Sequence, residues 1–193
     1  FELYQQLLKE AVESLNQVDQ NQQASKDILD FSPQINLGVS LLIPEVYIPD
    51  LTVRMALYKK ASAIKTLDEV DAFKEELIDR FGRLPADVKH FILVLVLKCL
   101  CKELHVLKID AGDKAVVITF YQNTPPKPEV LLTYVQRNLG RLKLKPDGKL
   151  LYMQAWDVEE ERLKGVIDFM QKLLITLLPE KSTPFQDLTS FTS

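Results

Sequence analysis

Glu75-Glu76-Leu77-Ile78-Asp79-Arg80-Phe81-Gly82-Arg83-Leu84-Pro85 is closely followed by Phe91-Ile92-Leu93-Val94-Leu95-Val96-Leu97. The first part reads as the end of one helix, a sharp turn and the start of another. Gly82 has the freedom for the positive φ of a helix C-cap, and Pro85 suits a first helical position, where its missing N–H would lack a partner anyway. The second part is apolar on every face of a helix, the mark of a helix buried all round. An acidic, solvated helix end is therefore expected to abut a core helix over about residues 85–102.

Outward from that stretch, the composition is that of an ordinary globular domain. The chain has 193 residues, 47% apolar and 26% charged, with a net charge of -3. That balance gives no general attraction for nucleic acid or anionic lipid, although local patches of either sign are allowed. The longest apolar run is the Phe91–Leu97 stretch, far short of the roughly 18 residues that a membrane span needs. Glu2, Lys9 and Glu10 lie in a helical pattern unlike a secretory leader. Cys99 and Cys101 are the only cysteines. One C-x-C pair is not a zinc site, and at the end of an apolar helix both read as small buried hydrophobes. Two thiols outside a disulfide framework point to a reducing, cytoplasmic location. The chain begins at Phe1 without Met, as a piece of something longer does.

Tyr4, Leu7, Leu8, Ala11, Val12 and Leu15 give the spacing of an amphipathic helix over residues 1–17, followed by a polar linker to about residue 30. Ile35, Leu37, Val39 and Leu41 alternate as a strand with one buried face. Pro44 and Pro49 break the segment after it, and Asp50 or Thr52 offers a cap to the next helix. There Val53, Leu57, Ala61 and Ile64 form the apolar stripe, with Arg54, Lys59, Lys60 and Lys65 expected to project outward. Thr66-Leu-Asp-Glu69 matches the capping box, opening a helix that buries Val70, Phe73, Leu77 and Phe81. Strand-forming runs on either side of Gly112-Asp113, and again of Pro146-Asp-Gly148, predict two hairpins. Between them Pro125-Pro-Lys-Pro128 starts a helix that ends by Gly140, and Asp157 is expected to cap the last helix.

Two hairpins and one further strand, packed with about five helices and preceded by a separate N-terminal helix, make an α+β fold with a small, mainly antiparallel sheet. The βαβ alternation of a parallel sheet is missing. Residues 1–30 read as the end of a preceding module plus linker, 31–178 as the domain, and 179–193 as a flexible tail.

No phosphate-cradling loop, nucleophile elbow or H-E-x-x-H occurs. No catalytic, cofactor-binding or metal-binding residue is assigned. His90 and His105 flank the core helix roughly 20 Å apart at 1.5 Å per residue, so they share no metal. Glu75, Glu76 and Asp79 line one helix surface. A metal-dependent hydrolase built on them would need more oxygens converging from elsewhere, and a solvated face is the simpler reading. Yet acids near a helix C-terminus oppose its dipole. Arg141, Lys143, Lys145 and Lys149 form a weak basic signal without interleaved aromatics.

Pro44-Glu-Val-Tyr-Ile-Pro-Asp-Leu-Thr-Val-Arg54, Leu57-Tyr-Lys-Lys-Ala61, Glu76-Leu-Ile-Asp-Arg-Phe-Gly-Arg-Leu-Pro85 and Lys108-Ile-Asp-Ala-Gly112 together resemble the carboxy-terminal domain of bacterial transcription-repair coupling factors, over about residues 34–174. Phe1 to Val12 is similar to the segment after that family's helicase-like motor. One departure is Ala115, where members often carry glycine. The resemblance implies a non-catalytic regulatory module without cofactor. The parent would be an ATP-dependent translocase that removes stalled RNA polymerase from DNA and recruits nucleotide excision repair through UvrA. This domain would dock on a UvrB-like amino-terminal module of the same chain and mask its UvrA-binding surface. The family's docking acids fall on Glu76 and Asp79, with Glu75 beside them and Phe81, Gly82, Leu84 and Pro85 as support. An auxiliary DNA-binding module using Arg141 to Lys149 is the alternative.

Overall fold

The computed structural model describes residues 31–181. Its strands are β1 (Gln34–Asn36), β2 (Val106–Ala111), β3 (Val116–Phe120), β4 (Leu142–Leu144) and β5 (Leu150–Tyr152). Its helices are α1 (Leu51–Ser62), α2 (Leu67–Phe81), α3 (Ala86–Glu103), α4 (Pro128–Arg137) and α5 (Glu159–Leu177). The sheet order is β1-β2-β3-β5-β4, and the fold is α+β as the sequence predicts. The helix and linker expected over residues 1–30 lie outside the described residues. So do residues 182–193. The expected tail begins with a 3-10 turn, Pro179–Lys181, where Lys181 pairs with Glu103 and Glu180 with Lys127.

Helix α3 is the centre of the molecule. Every side chain from Phe91 to Leu97 is buried, each worth ~1.5–3 kcal/mol of transfer free energy as an upper estimate. One side of α3 meets α5 through Leu163, Val166, Ile167, Met170, Leu173 and Leu174, all buried as expected. Phe91 stands edge-on to Tyr58 of α1 and Phe73 of α2, at centroid distances of 5.7 and 6.3 Å, which joins three helices in one aromatic contact.

Both hairpins form, with Gly112 N–H donating to the Ala115 carbonyl at 2.8 Å and Gly148 taking a positive φ in the second turn. Val106 and Ile109 are both buried although three residues apart, because a register shift between Val106 and Lys108 changes the phase of β2. Two expectations about the sheet need correction. The first strand has three paired residues rather than the whole alternating run, since a turn at Gly38 (φ 69°) ends it. It also pairs parallel with β2, Ile35 opposite Ile109, so one crossover through α1, α2 and α3 is present in an otherwise antiparallel sheet.

Helix boundaries follow local chemistry with two exceptions, and one helical side chain lies elsewhere than expected. Asp50 accepts the Val53 N–H at 3.0 Å, and the Thr66–Glu69 capping box is complete. Pro85, however, occupies the N-cap of α3 with extended ψ, one residue before the expected first turn. Asp157 does not cap α5. Val158 sits there without a side-chain bond, and Glu159, Glu160 and Glu161 in the first turn favourably complement the positive end of the dipole instead. Arg54, expected outside, is buried at 2% exposure and donates to the carbonyls of Ile48 and Pro49. The proline-broken segment before α1 has buried carbonyls that lack ladder partners, and the guanidinium satisfies them.

Helix α5 carries Gly165 mid-length under the ring of Trp156. A Cβ there would stand 2.3 Å from Trp156 Cζ2, so the indole lies directly on the helix backbone. Arg162, one turn earlier, donates to the carbonyls of Leu37 (2.8 Å) and Trp156 (3.0 Å), tying the exit of β1 to the start of α5.

Candidate functional site

The acidic run occupies the solvent face of the last turns of α2. Val70, Phe73 and Leu77 anchor the opposite face in the core, and Phe81 is half-buried at the end. Gly82 terminates the helix at φ 85°, its N–H donating to Ile78 at 2.9 Å. Leu84 is buried and Pro85 half-buried, so the turn is fixed to the core on its far side. The four support residues expected from sequence therefore lie together.

A fifth support was not anticipated. The Tyr47 hydroxyl, from the loop before α1, lies 3.0 Å from both the Leu77 and Gly82 carbonyl oxygens and shares its proton between them. Its ring meets Phe81 edge-on at 6.0 Å. The Gly82 carbonyl lies past the last helical hydrogen bond, the one from Gly82 N–H to Ile78, and so lacks an intrahelical donor; this phenol supplies one. Burial keeps its pKa above the ordinary phenol value, so it stays a donor. No local pattern in the sequence joins Tyr47 to Leu77.

The three acids are not equivalent. Glu76 is engaged inside the domain. One carboxylate oxygen pairs with Lys60 of α1, and the other accepts from Arg80 Nη1 at 2.8 Å. Lys60, with Arg80 behind it, holds the Glu76 carboxyl below the ordinary value. Arg80 also lies 4.8 Å over the Phe81 ring. The Arg80 contact was legible as an i,i+4 pair; the Lys60 contact crosses helices and has no local signal. Glu75 and Asp79, by contrast, are exposed and make no ion pair or hydrogen bond among the described residues. The structure thus separates Glu76 from Asp79 and leaves Glu75 and Asp79 as the acids presented outward. At the turn after Gly82 a cleft of about 640 Å³ is lined by Pro44, Val46, Tyr47, Leu84 and Pro85, and also by Arg83, Lys89 and Glu160. Val46, at its rim, is 97% exposed.

The other candidates lie off the acidic surface of α2, although Glu160, which faces His90, lines the same cleft. His90 Nε2 lies 3.9 Å from a Glu160 oxygen, and His105 follows α3, its imidazole pKa lowered mainly by burial. Among the described residues no three of His, Cys, Asp and Glu converge as metal ligands. Cys99 and Cys101 are buried free thiols; burial pushes Cys99 up to about 12 and Cys101 upward too, so both remain protonated. Lys143 is exposed on the edge strand β4 and Arg141 and Lys145 are exposed at its two ends, while Leu142 is buried and Leu144 and Lys149 are half-buried. No helix among the described residues is long and apolar enough to cross a membrane.

Comparison with known proteins fits this architecture. A family profile described as the TRCF domain matches residues 37–131. The transcription-repair-coupling factor of Rickettsia typhi is 35% identical over 177 residues, which cover 92% of this chain and 15% of that protein. Its counterpart in Escherichia coli is 28% identical over 173 residues, again 15% of its length. The chain therefore spans about 15% of the length of these curated relatives. A crystal structure of the C-terminal domain of transcription-repair coupling factor superposes with a TM-score of 0.60 at 22% identity, over 78% of this chain and 97% of the other. That likeness establishes the shared fold. The chain belongs to the transcription-repair coupling factor family and carries its TRCF domain.

Proposed function

We propose that residues 31–178 form a regulatory domain that docks, through the outer face of α2, on a UvrB-like amino-terminal module of the same protein and covers the surface that UvrA would use. Residues 1–30 would trail an upstream ATP-driven translocase that displaces stalled RNA polymerase from DNA in the cytoplasm. The observation that carries this reading is the pair Glu75 and Asp79, exposed and without a partner among the described residues on a helix end clamped by Tyr47, Gly82 and Leu84. Negative charge near a helix C-terminus costs about 0.3–1 kcal/mol. A charge-assisted bond to arginine, worth about 1.5–3 kcal/mol, would outweigh that cost. Glu76 would act as a positioning group, its bonds to Lys60 and Arg80 stiffening the helix that carries the other two.

The test is a titration of this domain with the isolated amino-terminal module. Glu75→Arg with Asp79→Arg should abolish binding while the circular dichroism spectrum and melting temperature stay unchanged, and UvrA should compete with the unmutated domain. Unaltered affinity in the double variant would remove α2 from the interface.

The exposed bases of β4 support a second reading, an auxiliary DNA contact. Steep salt dependence of binding to duplex DNA, lost on neutralising Arg141 and Lys143, would favour it.

A further inference from the structure

A second concave site lies on the side of the molecule where the described chain begins. This pocket, of about 540 Å³, is floored by Phe31, Ala61, Ile64 and Leu95. Lys59, Lys65, Lys98 and Lys102 also line it, and no carboxylate does. The lysines come from three places, the end of α1, the α1–α2 link and the last two turns of α3, so the fold gathers them. Lys59, Lys65 and Lys98 have no ion pair within bonding distance among the described residues. This contrasts with Lys60, Lys127, Lys164, Lys172 and Lys181, each of which pairs with an acid.

The nearby acids are already engaged. Glu69 accepts from the Lys65 and Thr66 amides at 2.7 and 3.1 Å. Glu103 takes Lys181 at 2.6 Å. Lys102 lies 4.6 Å over the Phe31 ring, which itself stacks on Tyr121. Lys98 is half-buried, and burial lowers its pKa below the ordinary lysine value. A cation in such a place without a counter-charge costs free energy unless an anion arrives.

We propose that this lysine-lined pocket binds a small organic phosphate, its phosphoryl oxygens among Lys59, Lys65, Lys98 and Lys102 and its apolar body on Leu95, Ile64 and Phe31. Phosphate suits the site better than carboxylate. Ammonium groups act as point charges around a tetrahedral anion, whereas a planar carboxylate is best matched by a guanidinium fork, and no arginine lines the pocket. The volume falls within the roughly 300–1,000 Å³ typical of small-molecule sites and exceeds what one phosphate group fills.

The experiment uses the full 193-residue chain and calorimetric titration with inorganic phosphate and phenyl phosphate at low ionic strength. Phenyl phosphate should bind one-to-one, more tightly than inorganic phosphate, and should weaken as salt rises. Lys98→Met should cut the affinity by about tenfold or more, as loss of a charged hydrogen-bond partner does. It should also raise the melting temperature of the unliganded protein, since an uncompensated charge has gone. Lys59→Gln with Lys65→Gln, both at exposed positions, should weaken binding without touching the core. Arg141→Gln with Lys143→Gln should leave it unchanged. Absence of binding, equal affinity for the two phosphates, or equal loss in the β4 variant would overturn the proposal.

Discussion

Replacing Gly165 with alanine should destabilise this protein, although the same exchange inside a helix ordinarily gains about 1 kcal/mol. The structure reverses the sign. The new methyl would lie 2.3 Å from Trp156 Cζ2 and 2.5 Å from Cε2, well inside contact distance. The indole can move out only by giving up its contact with Tyr152, whose ring centroid lies 6.0 Å away. Overpacking costs about 1–3 kcal/mol, and subtracting the ~1 kcal/mol of helix propensity leaves a net loss of about 1 kcal/mol. Urea unfolding measures it directly. Trp156 is the only tryptophan, so its emission reports where the ring goes, and a red shift is expected as it moves toward water. In a Trp156→Leu background the clash is gone, and alanine at 165 should now stabilise by about 1 kcal/mol, giving a coupling of about 2 kcal/mol. A Gly165→Ala protein more stable than the parent, with unshifted emission, would refute the packing argument.

Two further outcomes follow from the acidic helix end. Glu76→Gln removes the charge that Lys60 and Arg80 share; with the two cationic ends half exposed, the loss at neutral pH should be only about 0.2–1 kcal/mol. Because the folded Glu76 pKa lies below its ordinary value near 4.5, that stabilisation is present above this pH and fades as pH falls through the folded value, so the parent and variant denaturation curves should converge in acid. Gly82→Ala meets no atom within 4 Å but must hold φ at 85°, so a loss of about 1–2 kcal/mol with an unchanged denaturant slope is expected from the dihedral alone.

What the sequence disclosed, and what it hid, divides by range. The capping box at Thr66, the positive φ at Gly82 and the burial of Phe91 to Leu97 are set within a few residues by propensity and periodicity, and each was legible. Glu76–Arg80 was legible for the same reason. Arg54 was misplaced because its partners, the Ile48 and Pro49 carbonyls, exist only once the proline-broken loop folds against α1. Lys60, Tyr47 and the indole over Gly165 are likewise joined to their partners by tertiary packing. The solvent-facing acids of α2 were therefore legible as a group, but not which of them the domain pairs internally. The lysine pocket assembles from three separate segments and left no contiguous signal.

The parallel pairing of β1 with β2 has a consequence for synthesis. Ile35 leaves the ribosome long before Ile109, its neighbour in the sheet. Until then β1 has no ladder to join, whereas α1, α2 and α3 emerge in succession and can collapse on their own aromatic contact. Closure of a loop this long is slow compared with helix docking. The nascent domain should therefore pass through a helical intermediate whose sheet edge is still open. Arg162, which emerges after β2, then fastens the Leu37 carbonyl and completes that edge. A ribosome-stalled chain ending before β2 should be protease-resistant in its helices and cleavable between residues 34 and 43.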